Sequence, residues 1–251
     1  MHLIIHGALD HALHRGLVTR NVPLAASAPR LRAIPKVEQK AWTAAELKTF
    51  LRAAGHRLFP ALWLSADTGI RRNELLGLRW TDLDTDHARL SSNRGLVAVD
   101  YEIHETRGKT DNARRCINLD QTTLGVVAGW RALQSAEYAA VGVNDPGWMF
   151  TTATGERVHP HSISQTFDRT VRRAPVPVIR LHDLRHTHGS LLIASGVDAK
   201  VVSERLGHAQ FVFTVETYQH TFPPMHTDAA RVFEALLTPG ATENPALPKA
   251  G

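Results

Sequence analysis

The chain reads IRLHDLRH over residues 179–186, LGH over 206–208 and TYQH over 217–220. In a helix His182 and Arg185 face the same side, so both can reach one phosphate. His208 directly follows a glycine of the kind that ends helices, and Tyr218 comes ten residues later. An arginine that holds phosphate, imidazoles that move protons and a phenol that attacks are the parts of a metal-free phosphoryl transfer. The pattern predicts DNA strand cleavage and rejoining through a phosphotyrosine.

A second arginine-bearing stretch, TGIRRNELLGLRW, occupies residues 68–80. Its glycine turn presents Arg71 at a predicted helix start, where backbone N–H groups favour an anion. Glu74, three residues later, could hold Arg71 or a neighbouring arginine in place. A surface arginine in an ordinary helical ion pair would give the same local pattern. This stretch alone therefore leaves both interpretations open.

Histidine spacing raises the alternative of a metal site. His182 and His186 are four residues apart, a spacing that suits two ligands on one helix face. The zinc-protease pattern H-E-x-x-H would need glutamate at 183, where Asp183 stands. We therefore predict no metal ion and no cofactor. A metal-dependent hydrolase that uses His182, His186 and His208 is kept as a competing hypothesis.

The composition is that of a basic globular protein. The 251 residues carry a net charge of +5 and are 43% hydrophobic, which allows one core and a small accessory unit. A polyanionic partner is compatible with this charge but is not required by it. The single cysteine, Cys116, excludes an internal disulfide and suits a reducing cytoplasm, and we expect it to be buried in a strand. No apolar run reaches the ~18 residues that a membrane span needs.

Residue periodicity predicts a mainly helical α+β fold with one small antiparallel three-stranded sheet. Strands are predicted over about 88–92, 96–105 and 114–119, with a turn over 108–113 between the last two. Helices are predicted over 2–20, 60–67, 70–80, 121–140 and 225–237. Three more are predicted: one from the turn at 159–161 to Arg173, one from 182 to Gly196, and one from Asp198 to Gly207. The capping-box spacing of Thr43 and Glu46 marks the start of the main domain. We assign residues 21–40 to a linker, 41–237 to the main domain and 238–251 to a disordered tail.

Lysine is used sparingly in this chain. Lys109 is the only lysine between Lys48 and Lys200, whereas arginine is frequent throughout. An ammonium gives up a proton more easily than a guanidinium does. Lys109, in the predicted turn KTDNARR (109–115), is therefore a candidate proton donor.

Taken in order, these motifs resemble those of the tyrosine recombinase (phage integrase) family over residues 41–237. The stretch at 68–80 resembles the family's first arginine box, RLHDLRHT (180–187) its histidine–arginine box, and VSERLGH (202–208) with TYQH (217–220) the box that ends in the nucleophile. The turn at 109–115 is similar to the hairpin that carries the family's catalytic lysine. The order and spacing of the motifs make this resemblance specific.

The resemblance implies one catalytic centre with six members, which are Arg71, Lys109, His182, Arg185, His208 and Tyr218. Tyr218 would be the nucleophile, and Arg71 and Arg185 would clamp the scissile phosphate. Lys109 would protonate the departing 5′ oxygen. His182 would accept the tyrosine proton, and His208 would bond a phosphate oxygen. The implied partner is double-stranded DNA, bound by a tetramer on paired sites in the bacterial cytoplasm, at the nucleoid.

One departure from the family pattern concerns the N-terminal side. Family members usually carry a helical core-binding domain there, and only residues 1–20 resemble its last helix. We therefore expect an N-terminally truncated chain. This leaves a recombination-defective, DNA-binding remnant of an integrase as the alternative to an active recombinase.

Overall fold

The structure, a computed structural model, describes residues 2–25, 40–55, 57–107 and 115–207. The chain divides into two compact units, Met1–Glu38 and Gln39–Gly251, and this boundary falls inside the predicted linker. The predicted turn over 108–113, the predicted helix over 225–237 and the predicted tail lie outside the described residues.

The described part of the first unit, residues 2–25, contains one helix and one turn of 3-10 helix. Helix α1 spans His2–His14, and the 3-10 turn spans Val22–Ala25. The prediction of a helix up to residue 20 was wrong, because Gly16 adopts a left-handed conformation with φ of 69° and ends the helical path. The Asn21 side chain then donates a hydrogen bond of 3.1 Å to the carbonyl of His6.

Seven helices are described in the second unit. They are α2 (Ala44–Ala53), α3 (Phe59–Thr68), α4 (Arg72–Leu76), α5 (Gln121–Val141), α6 (Pro160–Arg173), α7 (Asp183–Ala194) and α8 (Ala199–Leu206). The predicted capping box at the start of α2 is confirmed: the side chain of Thr43 accepts from the backbone N–H of Glu46, and the Glu46 carboxylate accepts from Thr43. Helices α3 and α8 end at Gly69 and Gly207 as predicted, both with positive φ.

The strands form two small antiparallel sheets. The strands are β1 (Leu83–Asp84), β2 (Arg89–Ser92), β3 (Arg94–Val99), β4 (Glu102–Arg107) and β5 (Arg115–Asn118). One sheet has the order β1–β2–β5, with Leu90 opposite Ile117, and β3 pairs with β4 in the other. The predicted single strand over 96–105 was wrong, because the chain reverses at Asp100 and Tyr101. Both have positive φ; aspartate tolerates this conformation, but no glycine or asparagine accompanies it and Tyr101 is not a typical turn residue, so the turn signal in the sequence is weak.

Cys116 is exposed on β5, so the expectation of a buried cysteine was wrong. Side chains alternate between the two faces of a strand. Ile117 takes the inward position, with 1% of its surface exposed, and its neighbour Cys116 therefore points outward.

The main core packs α2, α3, α6 and the start of α7 together. Its centre is an aromatic cluster of Trp42, Phe50 and Phe167, whose ring centroids lie 4.9 to 6.1 Å apart. The backbone N–H of Trp42 also donates a 3.0 Å hydrogen bond to the Thr187 hydroxyl on α7. This packing fixes α7 beside α3, whose C-terminal turn carries the residues described next.

Candidate active site

Arg71 lies immediately before α4, two residues after the glycine that ends α3. The predicted helix over 70–80 is shorter than expected, since α4 stops at Leu76. The carboxylate of Glu74 accepts from the Arg71 side chain at 2.8 Å and from the Arg71 backbone N–H at 3.0 Å. The Arg71 side chain keeps 33% of its surface exposed. Glu74 therefore holds the Arg71 backbone N–H and one nitrogen of its guanidinium, while part of the side chain stays accessible to solvent.

Arg185 reaches the same turn from α7. It is buried, and its Nη1 donates a 2.8 Å hydrogen bond to the carbonyl oxygen of Gly69. Gly69 has a φ of 62°, and a Cβ there would lie 2.5 Å from a methyl group of Leu206. Only a residue without a side chain fits this turn. The turn at Gly69 thus holds Arg185 and, two residues later, presents Arg71.

His182 is the residue directly before α7 and is exposed to solvent. Partial desolvation lowers the pKa of His182, and the positive charges of Arg185 and Arg71 lower it further. Asp183 acts in the opposite direction but does not outweigh these effects. The imidazole is therefore neutral at pH 7 and can accept a proton. Arg185 and Arg71 thus both lie close enough to His182 for their charges to act on its imidazole.

The first turn of α7 is anchored by a buried carboxylate. Asp183 accepts hydrogen bonds from the Arg180 backbone N–H at 2.8 Å and from its guanidinium at 2.9 and 3.1 Å. Burial raises the pKa of Asp183, but the bonds and charge of Arg180 outweigh it, so the net pKa is lowered. The charged carboxylate holds the chain entering α7 and so fixes the direction of His182.

A second arginine shares the carboxylate of Glu74, and the sequence did not single it out. Arg115, at the start of β5, donates to Glu74 Oε2 at 2.9 Å and to the carbonyl oxygen of Arg205 at 2.9 Å. Burial raises the pKa of Glu74, but the hydrogen bond and charge of Arg115 and the charge of Arg71 prevail, and the net pKa is lowered. Sequence patterns relate residues that are only a few positions apart, whereas Arg115 and Glu74 are 41 residues apart.

The end of α8 is bound by several arginines. Arg71 Nη2 donates to the carbonyl oxygen of Gly207 at 2.8 Å. Arg205 donates to the carbonyl oxygens of Asn118 and Asp67 at 3.0 and 3.1 Å, and its Nε donates to His188 Nε2 at 3.1 Å. Cations at a helix C-terminus are favourable, because the last carbonyls carry partial negative charge. Helix α8 is thereby fixed to α3, α4 and β5 at the residue before His208.

The His188 side chain is buried, and both of its ring nitrogens form hydrogen bonds within the fold. Its Nε2 accepts from Arg205, so its Nδ1 carries the proton and donates to the carbonyl oxygen of Ala66 at 3.1 Å. Burial, with the nearby charge of Arg205, lowers the pKa of His188 to about 3.

The ring of His186 stands edge-on to that of His182 with 5.2 Å between centroids, and burial lowers the pKa of His186 to about 4.

Of the six predicted site residues, the structure brings together Arg71, His182 and Arg185. The other three, Lys109, His208 and Tyr218, lie outside the described residues. Over residues 2–25, 40–55, 57–107 and 115–207, no three His, Cys, Asp or Glu side chains are grouped so that they could hold a metal ion. The three-histidine hypothesis includes His208 and so extends beyond that part of the chain. No helix in the same part is long and apolar enough to cross a membrane.

Comparison with known sequences gives one family. Residues 38–224 match the model of the phage integrase family. The chain is 32% identical over 196 residues to a XerC-like tyrosine recombinase of Caldanaerobacter subterraneus subsp. tengcongensis, covering 72% of this chain and 50% of that protein. It is 26% identical over 237 residues to the ICEBs1 integrase of Bacillus subtilis, covering 91% and 62%. The chain thus spans between half and two thirds of the length of these relatives.

Solved structures with the same fold include integrases and recombinases. The Tn1549 transposon integrase in complex with circular intermediate DNA superposes with a TM-score of 0.67 at 18% identity, over 93% of this chain and 78% of that one. The XerH site-specific recombinase bound to difH gives 0.59 at 20% identity, over 79% and 56%. These similarities, together with the helices and small sheets seen here, confirm the predicted fold class.

Proposed function

The chain belongs to the phage integrase family, and from that premise we propose that it is a site-specific recombinase that cleaves and rejoins DNA strands through a 3′-phosphotyrosyl intermediate. The observation that carries the proposal is that Arg185 binds the Gly69 carbonyl while Arg71, two residues after that glycine, binds the Gly207 carbonyl, and both charges act on a neutral His182. A phosphodiester gains negative charge on its nonbridging oxygens in the transition state, and guanidinium groups neutralise such oxygens with paired hydrogen bonds.

In the proposed cleavage step the Tyr218 oxygen attacks phosphorus, forming a P–O bond to the enzyme and breaking the bond to the 5′ oxygen. The phenolic proton passes to His182, whose lowered pKa keeps it neutral and able to accept. Lys109 gives a proton to the departing 5′ oxygen, and His208 donates a hydrogen bond to a nonbridging oxygen. Rejoining is the same step in reverse, with a 5′ hydroxyl as the attacking group. One phosphodiester is exchanged for another, so the reaction needs no nucleotide cofactor.

The proposed partner is double-stranded DNA, bound on paired sites by a tetramer in the bacterial cytoplasm, at the nucleoid. The net charge of +5 supports a polyanionic partner. Residues 41–237 are the proposed catalytic domain, with residues 1–20 as the last helix of a core-binding domain and 21–40 as the linker between them. The integrase and the recombinase with the same fold were solved with DNA, which is consistent with this assignment.

The test of this proposal is the formation of a covalent protein–DNA adduct. Suicide half-sites built from the DNA that flanks the gene should trap the wild-type chain, and the Tyr218→Phe variant should form no adduct while still binding DNA. The adduct should also form in the presence of EDTA. DNA binding without an adduct on any half-site would contradict recombinase activity and favour the DNA-binding alternative. Stoichiometric zinc with loss of activity in EDTA would favour the hydrolase hypothesis.

A further inference from the structure

Glu74 is shared between two arginines through its two oxygens. Oε1 accepts from Arg71 Nη1 at 2.8 Å, and Oε2 accepts from Arg115 Nη2 at 2.9 Å. The side chains of Glu74 and Arg115 are buried, with 9% and 7% of their surface exposed, whereas that of Arg71 is 33% exposed. Arg71 therefore has a face available to a ligand, and Arg115 does not.

The charges of this triad explain why a second arginine is useful. Glu74 orients Arg71, but a single carboxylate beside a single guanidinium leaves a pair with no net charge. A neutral pair attracts a phosphate less strongly than a free guanidinium does. Arg115 adds one positive charge on the opposite side of the carboxylate, so that the triad carries a net charge of +1. Burial strengthens this effect, because water screens buried charges poorly.

We propose that Arg115 is a positioning residue of the phosphate site: it offsets the charge of Glu74, so that Glu74 can orient Arg71 without weakening the attraction of Arg71 for phosphate. This inference rests on the proposed function, in which Arg71 binds the scissile phosphate. Arg115 acts through Glu74 and not on the phosphate itself, because its guanidinium is buried against the carboxylate.

A second contact explains why the position carries arginine and not lysine. Arg115 Nε donates to the carbonyl oxygen of Arg205 at 2.9 Å, while Arg71 Nη2 donates to that of Gly207 at 2.8 Å. The two arginines that share Glu74 thus also hold two carbonyls at the end of α8. A guanidinium can bind a carboxylate and a carbonyl at once with a fixed angle between its donors, and an ammonium has no such fixed geometry. Arg115→Lys should therefore restore the charge but only part of the geometry.

The test measures phosphate affinity, independently of strand cleavage. Inorganic phosphate that binds only the folded chain stabilises it by RT ln(1 + c/Kd), where c is the phosphate concentration, so the dependence of Tm on phosphate concentration gives an apparent Kd. The apparent phosphate Kd of the wild type should rise about tenfold in Arg115→Met. It should return to within about threefold of wild type in the double variant Arg115→Met/Glu74→Gln, which again leaves a net charge of +1. Arg115→Lys should fall between these values, and Arg71→Met should lose the phosphate response.

Arg57→Met is the matched control for loss of a partly buried arginine. Arg57 binds the carboxylate of Glu137 and the carbonyl oxygen of Thr151, and its side chain is 24% exposed. Its removal should lower the Tm without changing the phosphate Kd. The proposal is overturned if Arg115→Met binds phosphate as Arg57→Met does. It is also overturned if the Glu74→Gln change restores nothing, since the effect of Arg115 would then not pass through the carboxylate charge.

These outcomes separate the inference from the proposed function. A wild-type chain that forms the Tyr218 adduct, with phosphate binding unchanged in Arg115→Met, keeps the recombinase and removes the role of Arg115. The full pattern of phosphate affinities without any adduct would keep the triad as an anion site and remove the recombinase.

Discussion

His188 links the protonation of one ring to the stability of the folded chain. Its pKa is about 3 in the folded state, against about 6.5 in an unfolded chain. Below pH 6.5 His188 is protonated in the unfolded chain but stays neutral in the folded chain. The stability that the neutral ring contributes to the folded state is therefore lost as the pH falls from 6.5 towards 3. The free energy of unfolding should drop by up to about 1.4 kcal/mol per pH unit from this group.

The variant His188→Gln tests this assignment, because glutamine keeps a hydrogen-bonding side chain but does not titrate. Urea unfolding at pH 7.0, 6.0 and 5.0 should give a shallower loss of stability with acid in the variant than in the wild type. His186 titrates in both proteins and cancels in the comparison. Equal slopes would show that His188 is not the group responsible.

In the proposed mechanism Lys109 protonates the departing 5′ oxygen. A substrate whose leaving atom needs no proton tests this role. Lys109→Ala should slow adduct formation strongly when the leaving atom is an ordinary 5′ oxygen, because an alkoxide needs a proton. A 5′-bridging phosphorothioate leaves as a thiolate without protonation, so much of the activity should return on that substrate. Equal impairment on both substrates would refute the general-acid role.

The turn that ends α3 is the element on which both described arginines depend. In Gly69→Ala the new methyl group would overlap Leu206 and approach His188 to 3.0 Å, in a backbone conformation with φ of 62°. The free energy of unfolding should fall by more than about 2 kcal/mol. Phosphate affinity should fall as well, because the Gly69 carbonyl that holds Arg185 moves.

Gly142→Ala is the control for this substitution. Gly142 ends α5 with a similar φ of 69°, but a Cβ there meets nothing within 4 Å. Its cost should be limited to backbone strain, about 1 kcal/mol, with no change in phosphate affinity. Similar costs for the two variants in urea unfolding would mean that the contact with Leu206 and His188 is relieved by a small shift.

At the scale of the whole molecule, the dependence of affinity on salt concentration is the most direct probe of DNA binding. The logarithm of the affinity for duplex DNA should fall linearly with the logarithm of salt concentration, by about 0.9 for each neutralised phosphate. Measured with Tyr218→Phe to prevent cleavage, adding Arg71→Met should reduce this slope by about 0.9. Adding Arg57→Met instead should leave it unchanged. An unchanged slope with Arg71→Met would show that Arg71 does not contact a DNA phosphate.

The sequence predicted best where a local pattern has a local cause. The capping box at Thr43, the glycine ends of α3 and α8, and the pairing of Arg71 with Glu74 all involve residues at most a few positions apart. The prediction of one strand over 96–105 was wrong, because the chain reverses at Asp100 and Tyr101, which adopt left-handed conformations without a glycine. The bonds of Arg115 to Glu74 and Arg205 span 41 and 90 residues, and no spacing rule reaches so far. Long-range contacts of this kind become visible only in three dimensions.

The outward orientation of Cys116 has a practical consequence. It is the single thiol of the chain, and it directly follows Arg115 on β5. A maleimide dye would therefore attach at one defined position of the natural sequence, with no cysteine to remove beforehand. The emission of that dye would report on its surroundings next to the Arg115–Glu74 pair. Energy transfer from the dye to labelled oligonucleotides would measure distances as a complex with DNA assembles.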